Sequence, residues 1–394
     1  MPTRWKFALL YFSEGAPIGF LWWGLPTLLR QDDVAVERIA ALTATLALPW
    51  TLKFLWAPLV DACRSSRWGF KHWAGAAQLG MGACLLPLIW IDPATHFGVW
   101  FGLLLTHAVC AATQDVAIDA LAINAVESTE RGSLNAAMQI GMLGGRSLFG
   151  GGAIVLVGWG GWPVLFGALL TAIWLSLLVL WRGVEEPPKA EGESRRFWTT
   201  LRAGFSRRTT WLGLGFALIA GAGFETVGAL AGPLLVDHAA SSGTVATFFA
   251  FPVVIAMAIG GWVGGRWSDR GPRPVRAGIA LVALTLAVLL VALAAKSGAS
   301  VPLLITTLVV VYLTIGAFTA ISYALFMDLT DPALGATQFS TFMAATNGCE
   351  VWAVAAGGLL VGRLGYGPGF SLMALAGLLG LAVLWALTRK ARTA

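Results

Sequence analysis

Long apolar runs, separated by short polar or charged segments, occupy most of the chain. A helix that crosses the hydrocarbon core of a bilayer needs about 20 predominantly apolar residues, and each of twelve runs comes close to that length or exceeds it. The pattern therefore predicts twelve transmembrane helices. They lie at residues 6–30, 38–60, 73–92, 97–122, 133–157, 162–182, 209–236, 243–265, 275–295, 301–327, 336–361 and 368–388.

Composition agrees with this pattern. Of the 394 residues, 57% are hydrophobic and only 12% are charged, whereas an average soluble protein carries about 25% charged residues. We therefore expect an all-α polytopic membrane protein. The net charge of +6 does not indicate nucleic-acid binding, because the basic residues lie mainly between the apolar runs, where they report topology.

The Lys and Arg residues lie mainly on one side of the predicted membrane. If the N-terminus is cytoplasmic, twenty of the 26 fall in cytoplasmic segments, two lie inside the membrane and four lie on the opposite side. Basic residues are retained on the cytoplasmic side of bacterial inner membranes, so both termini are predicted to be cytoplasmic. The four exceptions are Arg30, Arg38, Lys296 and Arg363.

The longest polar segment divides the predicted helices into six and six. Similar residues recur at similar spacing in the two halves: Asp61 and Asp269 are 208 positions apart, and Pro26 and Pro233 are 207 apart. Such a repeat is typical of transporters whose halves are related by an axis along the membrane normal and enclose the substrate. We predict a six-helix bundle over 1–182, a cytoplasmic linker over 183–208 and a second six-helix bundle over 209–394.

Charged residues inside the predicted helices are the candidate functional groups. Asp115 and Asp119 are four residues apart, so one helix face presents both. An ionisable group at membrane depth is costly unless it faces a bundle interior or a wet cavity. The alternative is a salt bridge that only holds helices together, such as one between Lys53 and Glu350, and Asp119 is near enough to a helix end to reach water. The candidates for proton coupling or substrate binding are Glu14, Lys53, Asp115, Asp119, Arg146, Glu225 and Glu350.

A short basic motif, Gly265-x-x-x-Asp269-Arg270-x-x-Arg273, follows the eighth predicted helix. An acid at a helix end beside guanidinium groups can form a cytoplasmic latch that breaks when the two halves rock. The alternative is ordinary positive charge on the cytoplasmic side. A degenerate copy of the motif follows the second helix, so the predicted cytoplasmic gate consists of Asp61, Arg64, Asp269, Arg270 and Arg273.

This motif resembles the loop signature of the major facilitator superfamily. Within that superfamily, three stretches resemble the AmpG-type permeases of the peptide, acetyl-coenzyme A and drug transporter family. The resemblance implies the superfamily's twelve-helix fold and import of anhydro-muropeptides driven by protons. The stretches are Leu52-Lys53-Phe54-Leu55-Trp56-Ala57-Pro58-Leu59-Val60-Asp61, Thr113-Gln114-Asp115-Val116-Ala117-Ile118-Asp119-Ala120 and Gly335-Ala336-Thr337-Gln338-Phe339.

Two features depart from the muropeptide carriers. AmpG-type permeases typically have further C-terminal helices, and Glu350 stands in a region where a basic residue is expected. The substrate therefore stays open between a muropeptide-like or other polar solute and the siderophores, acyl-coenzyme A or drugs that relatives in the family carry.

The expected function is secondary active transport across a bacterial inner membrane, and not an enzymatic activity. We expect a monomer that acts on a small-molecule substrate in the lipid bilayer, with the proton gradient as its energy source and no cofactor, metal or nucleic acid. Two other classes stay open. Asp115 and Asp119 suit Mg²⁺ and a diphosphate in a membrane enzyme, although no further Asp cluster or His pair accompanies them. The same fold also suits a sensor that does not transport.

Overall fold

The computed structural model describes residues 2–63, 67–93, 95–125, 131–186, 206–268, 270–330 and 335–391, and all regular secondary structure in these ranges is helical. The first half contains α1 (Thr3–Gly19), a π-helical segment (Phe20–Gly24), α2 (Leu25–Gln31), α3 (Val36–Leu52), a 3₁₀ segment (Lys53–Leu55), α4 (Ala57–Ala62), α5 (Phe70–Leu88), α6 (Phe97–Ala125) and α7 (Arg131–Gly183). The second half contains α8 (Arg208–Ile219), α9 (Ala222–Asp237), α10 (Ser242–Ala250), α11 (Pro252–Ser268), α12 (Arg273–Lys296), α13 (Val301–Leu329), α14 (Gly335–Leu364), α15 (Tyr366–Gly377) and α16 (Leu379–Ala391).

Each apolar run of the sequence contains helix, and the protein is a multi-pass membrane protein. Among the described residues, eight helical stretches are long and apolar enough to cross a bilayer. The longest of these covers residues 137–183, and its backbone is not helical at Gly160 and Gly161. Gly161 has a φ of 71°, a left-handed conformation that glycine adopts without steric cost. The all-helical class is thus confirmed, while the number of twelve spans stays a prediction.

Two helical stretches of the first half are interrupted by short segments of other helix types. Lys53–Leu55 forms a single 3₁₀ turn between α3 and α4, and Phe20–Gly24 forms a π-helical turn between α1 and α2. Short 3₁₀ and π segments inside longer helices are common at functional sites. Both interruptions fall in the first two helices of the chain, and the 3₁₀ turn carries one of the charged candidates, Lys53.

Residue contacts divide the chain into two compact units. Unit 1 contains Met1–Leu25 and Leu52–Ser194, and unit 2 contains Pro26–Thr51 and Arg195–Ala394. The predicted linker, 183–208, lies mostly outside the described residues. The proposed division into 1–182, 183–208 and 209–394 stays a prediction.

In unit 1, the backbones of α1 and α7 pack closely through glycines. A Cβ atom added to Gly15 would lie 2.2 Å from the carbonyl oxygen of Met142, and one added to Gly145 would lie 2.3 Å from that of Phe12. Small residues allow such close contact between membrane helices. This contact fixes α1 against α7 at the level of the charged residues Glu14 and Arg146.

In unit 2, the hairpin of residues 26–51 packs with helices of the second half of the chain. Arg30 Nε donates to Asp237 Oδ1 at 2.5 Å, and Tyr366 donates its hydroxyl hydrogen to Asp237 Oδ2 at 2.8 Å. Glycine again allows close contact, because a Cβ atom on Gly232 would lie 1.9 Å from Thr27 Oγ1. The hairpin of residues 26–51 therefore contacts α9 directly, and Tyr366 of α15 reinforces this contact through Asp237.

Candidate functional site

A cluster of charged side chains lies in the interior of unit 1. Glu14 projects from α1, Lys53 from the 3₁₀ turn after α3, and Asp115 and Asp119 from α6. Glu14 is 3% exposed and Asp115 is 6% exposed, so both carboxyl groups are withdrawn from solvent. Ionisable groups buried inside membrane helices are rare, and they often mark substrate or proton pathways.

The ammonium group of Lys53 forms an ion pair and hydrogen bond with Asp115 Oδ2. The Glu14 carboxyl lies beside that of Asp115 and within electrostatic range of Asp119 and Lys53. Its Oε2 atom is buried and has no hydrogen-bond partner among the described residues. Asp115 is thus the carboxylate that Lys53 contacts, and a pairing of Lys53 with Glu350, which lies in the other unit, stays a prediction.

A tyrosine completes this cluster. Tyr11 donates its hydroxyl hydrogen to Asp119 Oδ1 and is 6% exposed. Sequence reasoning did not include Tyr11 among the candidates, although it lies three residues before Glu14 and therefore on the same face of α1. That spacing was the available signal. We call Tyr11, Glu14, Lys53, Asp115 and Asp119 the acidic cluster.

The acidic cluster contains more negative than positive groups. With all three carboxyl groups ionised and Lys53 charged, its net charge is −2. A buried charge without compensation is strongly unfavourable. Two bound protons would therefore make the cluster neutral.

Arg146 lies on α7, where the helix packs against α1. A Cβ atom added to Gly19 would lie 2.4 Å from the carbonyl oxygen of Arg146. In the part of the chain that the structure describes, Arg146 Nε is buried without a hydrogen-bond partner, and the ion pairs involve other residues. A guanidinium with an unused Nε donor is suited to bind a carboxylate or phosphate of a solute.

The two remaining acidic candidates lie in unit 2. Glu225 on α9 and Glu350 on α14 are partly buried, and both are within electrostatic range of the Cys349 thiol. Their helices are joined at this level, since Thr226 Oγ1 donates to the carbonyl oxygen of Ala353 at 2.9 Å. Glu225 and Glu350 therefore belong to one helix pair, separate from the acidic cluster along the chain.

The predicted cytoplasmic gate is described only in part. Arg64, Asp269 and the side chain of Asp61 lie outside the described residues. Arg270 is exposed, and Arg273 forms an ion pair with Asp328, which joins the start of α12 to the end of α13. The latch stays a prediction.

The carboxyl groups of the protein do not form a metal site within the described ranges. No group of three or more His, Cys, Asp and Glu side chains there is arranged to hold a metal ion. Asp115 in particular already contacts the ammonium group of Lys53.

The sequence model of the Major Facilitator Superfamily matches residues 7–295 of the chain. The chain belongs to this superfamily of transporters. The match includes the acidic cluster, Arg146 and Glu225. A solved structure, that of a D-xylose–proton symporter, has a TM-score of 0.78 at 12% identity and covers 97% of this chain and 96% of its own. At that identity the likeness shows the fold alone.

Curated relatives are more similar in sequence but match over shorter stretches. An anhydromuropeptide permease of Escherichia coli is 25% identical over 209 residues, which cover 52% of this chain and 42% of that protein. An uncharacterized protein of Haemophilus influenzae is 29% identical over 223 residues, which cover 52% of this chain and 50% of the other. The chain thus spans about half the length of these relatives, and it is similar to the AmpG-type permeases.

Proposed function

We propose that this superfamily member imports a muropeptide-like or other polar solute across the bacterial inner membrane, driven by the proton gradient. The observation that carries the proposal is the acidic cluster, in which a buried carboxyl oxygen of Glu14 has no hydrogen-bond partner within the described residues. The similarity to an anhydromuropeptide permease over half of the chain supports the substrate class.

Protonation of the acidic cluster couples the gradient to the conformational change. Protons from the outer side reduce the net charge of −2 on the cluster. The neutral cluster tolerates a closed, dry cavity, whereas the charged cluster favours a cavity open to water, so the number of bound protons shifts the equilibrium between the two states. Release of protons to the cytoplasm restores the charge.

The side chains of the acidic cluster and Arg146 have different roles in this proposal. Lys53 pairs with Asp115, and this ion pair compensates the charges of both side chains. Glu14 and Asp119 are then the groups that exchange protons, and Tyr11 stabilises charged Asp119 by donating a hydrogen bond. Arg146, whose Nε donor has no hydrogen-bond partner within the described residues, binds an anionic group of the solute.

Uptake by proteoliposomes tests this proposal. Purified protein is reconstituted and offered an anhydro-muropeptide, a ferric siderophore or acetyl-coenzyme A, with a pH gradient acid outside. We expect accumulation of the anhydro-muropeptide above its external concentration, and a KM at least tenfold higher for Arg146→Gln because one charge-assisted contact is lost. Arg208→Gln, an exposed arginine at the start of α8, is the matched control.

The alternatives predict other outcomes. Accumulation of the siderophore or of acetyl-coenzyme A would assign another substrate of the same family. Chemical conversion of a solute without accumulation would favour a membrane enzyme, and specific binding without either result would favour a sensor.

A further inference from the structure

A groove lies on the outer surface of unit 2, between α11, α12 and α13. Its volume is about 600 Å³, within the range of about 300–1,000 Å³ that is usual for small-molecule sites. Most of its lining is apolar and includes Trp262, Val263, Ile279 and Ala283. Trp262 is 62% exposed and Ile279 is 51% exposed in the protein, so these side chains face the surroundings of unit 2.

Basic side chains line one end of this groove. Arg266 and Arg270 are both exposed. The guanidinium of Arg266 lies over the ring of Trp262, with its Cζ atom 4.0 Å from the ring centroid. A guanidinium has five N–H donors, and their planar arrangement suits an anionic acceptor such as a phosphate. In the described residues, neither arginine has an acidic partner.

The groove is long enough to take much of an acyl chain. Along α13 its lining extends from Ile321 to Thr314, a separation of seven residues that corresponds to about 10 Å at a rise of about 1.5 Å per residue. The hydrocarbon core is about 30 Å thick, so one leaflet contributes about 15 Å. The groove therefore covers about two thirds of the depth of one leaflet.

We propose that this groove binds an anionic phospholipid. The phosphate lies at Arg266 and Arg270, and an acyl chain lies along the apolar lining towards Ala283. The charge of the arginines favours an anionic over a zwitterionic headgroup, and the apolar length favours a lipid over a free phosphate. Basic pockets between membrane helices on the cytoplasmic side are suited to anionic lipids, and the predicted topology places these arginines on that side.

Native mass spectrometry of the full delipidated chain in detergent tests the proposal. The probes are dioleoylphosphatidylglycerol, dioleoylphosphatidylcholine and glycerol 3-phosphate. We expect the phosphatidylglycerol to bind most tightly. Arg266→Gln and Arg270→Gln should each weaken its binding about fivefold, which corresponds to about 1 kcal/mol per basic residue near a membrane surface.

Two further variants make the result specific. Ala283→Phe fills the groove at an exposed position and should weaken binding of both phospholipids without touching an arginine. Arg208→Gln removes an exposed basic residue elsewhere and should bind as the wild type does. The proposal would be overturned if the two phospholipids bound with equal affinity, or if glycerol 3-phosphate bound as tightly as the phosphatidylglycerol. It would also be overturned if Ala283→Phe and the two groove arginine variants bound the phosphatidylglycerol as the wild type does.

Discussion

At the scale of single residues, the ion pair between Lys53 and Asp115 determines the balance of charge in the acidic cluster. Both side chains are largely buried, with exposed fractions of 15% and 8%. Two nearby carboxyl groups, those of Glu14 and Asp119, add further negative charge to the cluster. Substitution of one partner by a neutral residue therefore leaves the other as an uncompensated buried charge, whereas substitution of both removes one positive and one negative charge together.

A double-mutant cycle on this pair follows from that difference. Lys53→Met should lower the free energy of unfolding by about 3–5 kcal/mol, as expected when one member of a buried ion pair is removed. Lys53→Met/Asp115→Asn should cost clearly less than the sum of the single changes. The measurement is thermal unfolding of the purified variants in detergent. Additive effects of the two substitutions would show that the pair is not coupled.

The candidate residues could be predicted from the sequence, but their partners could not. Glu14, Lys53 and Asp115 are charges within apolar runs, and the cost of burying them singles them out. Which acid meets Lys53 depends on the rotation of α6 and on the 3₁₀ turn at Lys53–Leu55, and neither is encoded in hydrophobic periodicity. Tyr11 was missed because a single tyrosine in an apolar helix carries no charge signal.

At the scale of helices, glycines on α7 decide how closely it approaches α1. Gly144 and Gly145 are neighbours in sequence but face different surroundings. A Cβ atom on Gly145 would lie 2.3 Å from the backbone oxygen of Phe12, whereas a Cβ atom on Gly144 would lie 3.7 Å from the Phe12 ring. The sequence indicated close packing of this glycine-rich helix, but only the structure separates the two positions.

This difference predicts opposite outcomes for two similar substitutions. Gly145→Ala should lower the free energy of unfolding by about 1–3 kcal/mol, because the methyl group meets backbone that cannot move aside. Gly144→Ala should be neutral or slightly stabilising, because alanine favours helix by about 0.5–1 kcal/mol over glycine. Thermal unfolding in detergent compares them. Equal midpoints for the two variants would contradict the described helix contact.

The helix ends at Arg30 and Asp237 give a second prediction at this scale. Their side chains are only 24% and 22% exposed, and Tyr366 also bonds to Asp237. Asp237→Asn should weaken the contact between the 26–51 hairpin and α9 by about 1 kcal/mol. The state in which the hairpin has separated from α9 should then be about fivefold more populated. The readout is maleimide labelling of Thr27→Cys, because Thr27 is fully buried. Asp92→Asn is the control. Equal labelling rates in the Asp237→Asn and Asp92→Asn backgrounds would show that Asp237 does not stabilise the position of the hairpin.

At the scale of the whole molecule, hydropathy predicted a multi-pass helical protein, and basic residues predicted its orientation. The superfamily fold agrees with the first prediction. The orientation depends on the unequal distribution of Lys and Arg, twenty against four, and stays a prediction. The breaks inside helices could not be predicted in the same way, because Pro and Gly occur both at breaks and within continuous helix.

Cysteine labelling in intact cells tests the orientation. In a background without the native cysteines, a cysteine at position 192 in the predicted linker should not react with an impermeant maleimide, whereas Ser300→Cys, between α12 and α13, should react. The physical reason is the retention of basic segments in the cytoplasm. Labelling at position 192 from the outside would reverse the predicted topology.

Proton movement coupled to solute uptake tests the central claim most directly. Proteoliposomes that contain a pH-sensitive dye are given the solute identified in the uptake screen, for wild type, Glu14→Gln and the exposed control Glu185→Gln. We predict that solute addition acidifies the lumen for wild type and for the control, and that Glu14→Gln abolishes this acidification because a buried proton acceptor is lost. Wild-type acidification by Glu14→Gln would contradict the assignment of Glu14, and wild-type accumulation that persists with a proton uncoupler would contradict proton-driven transport itself.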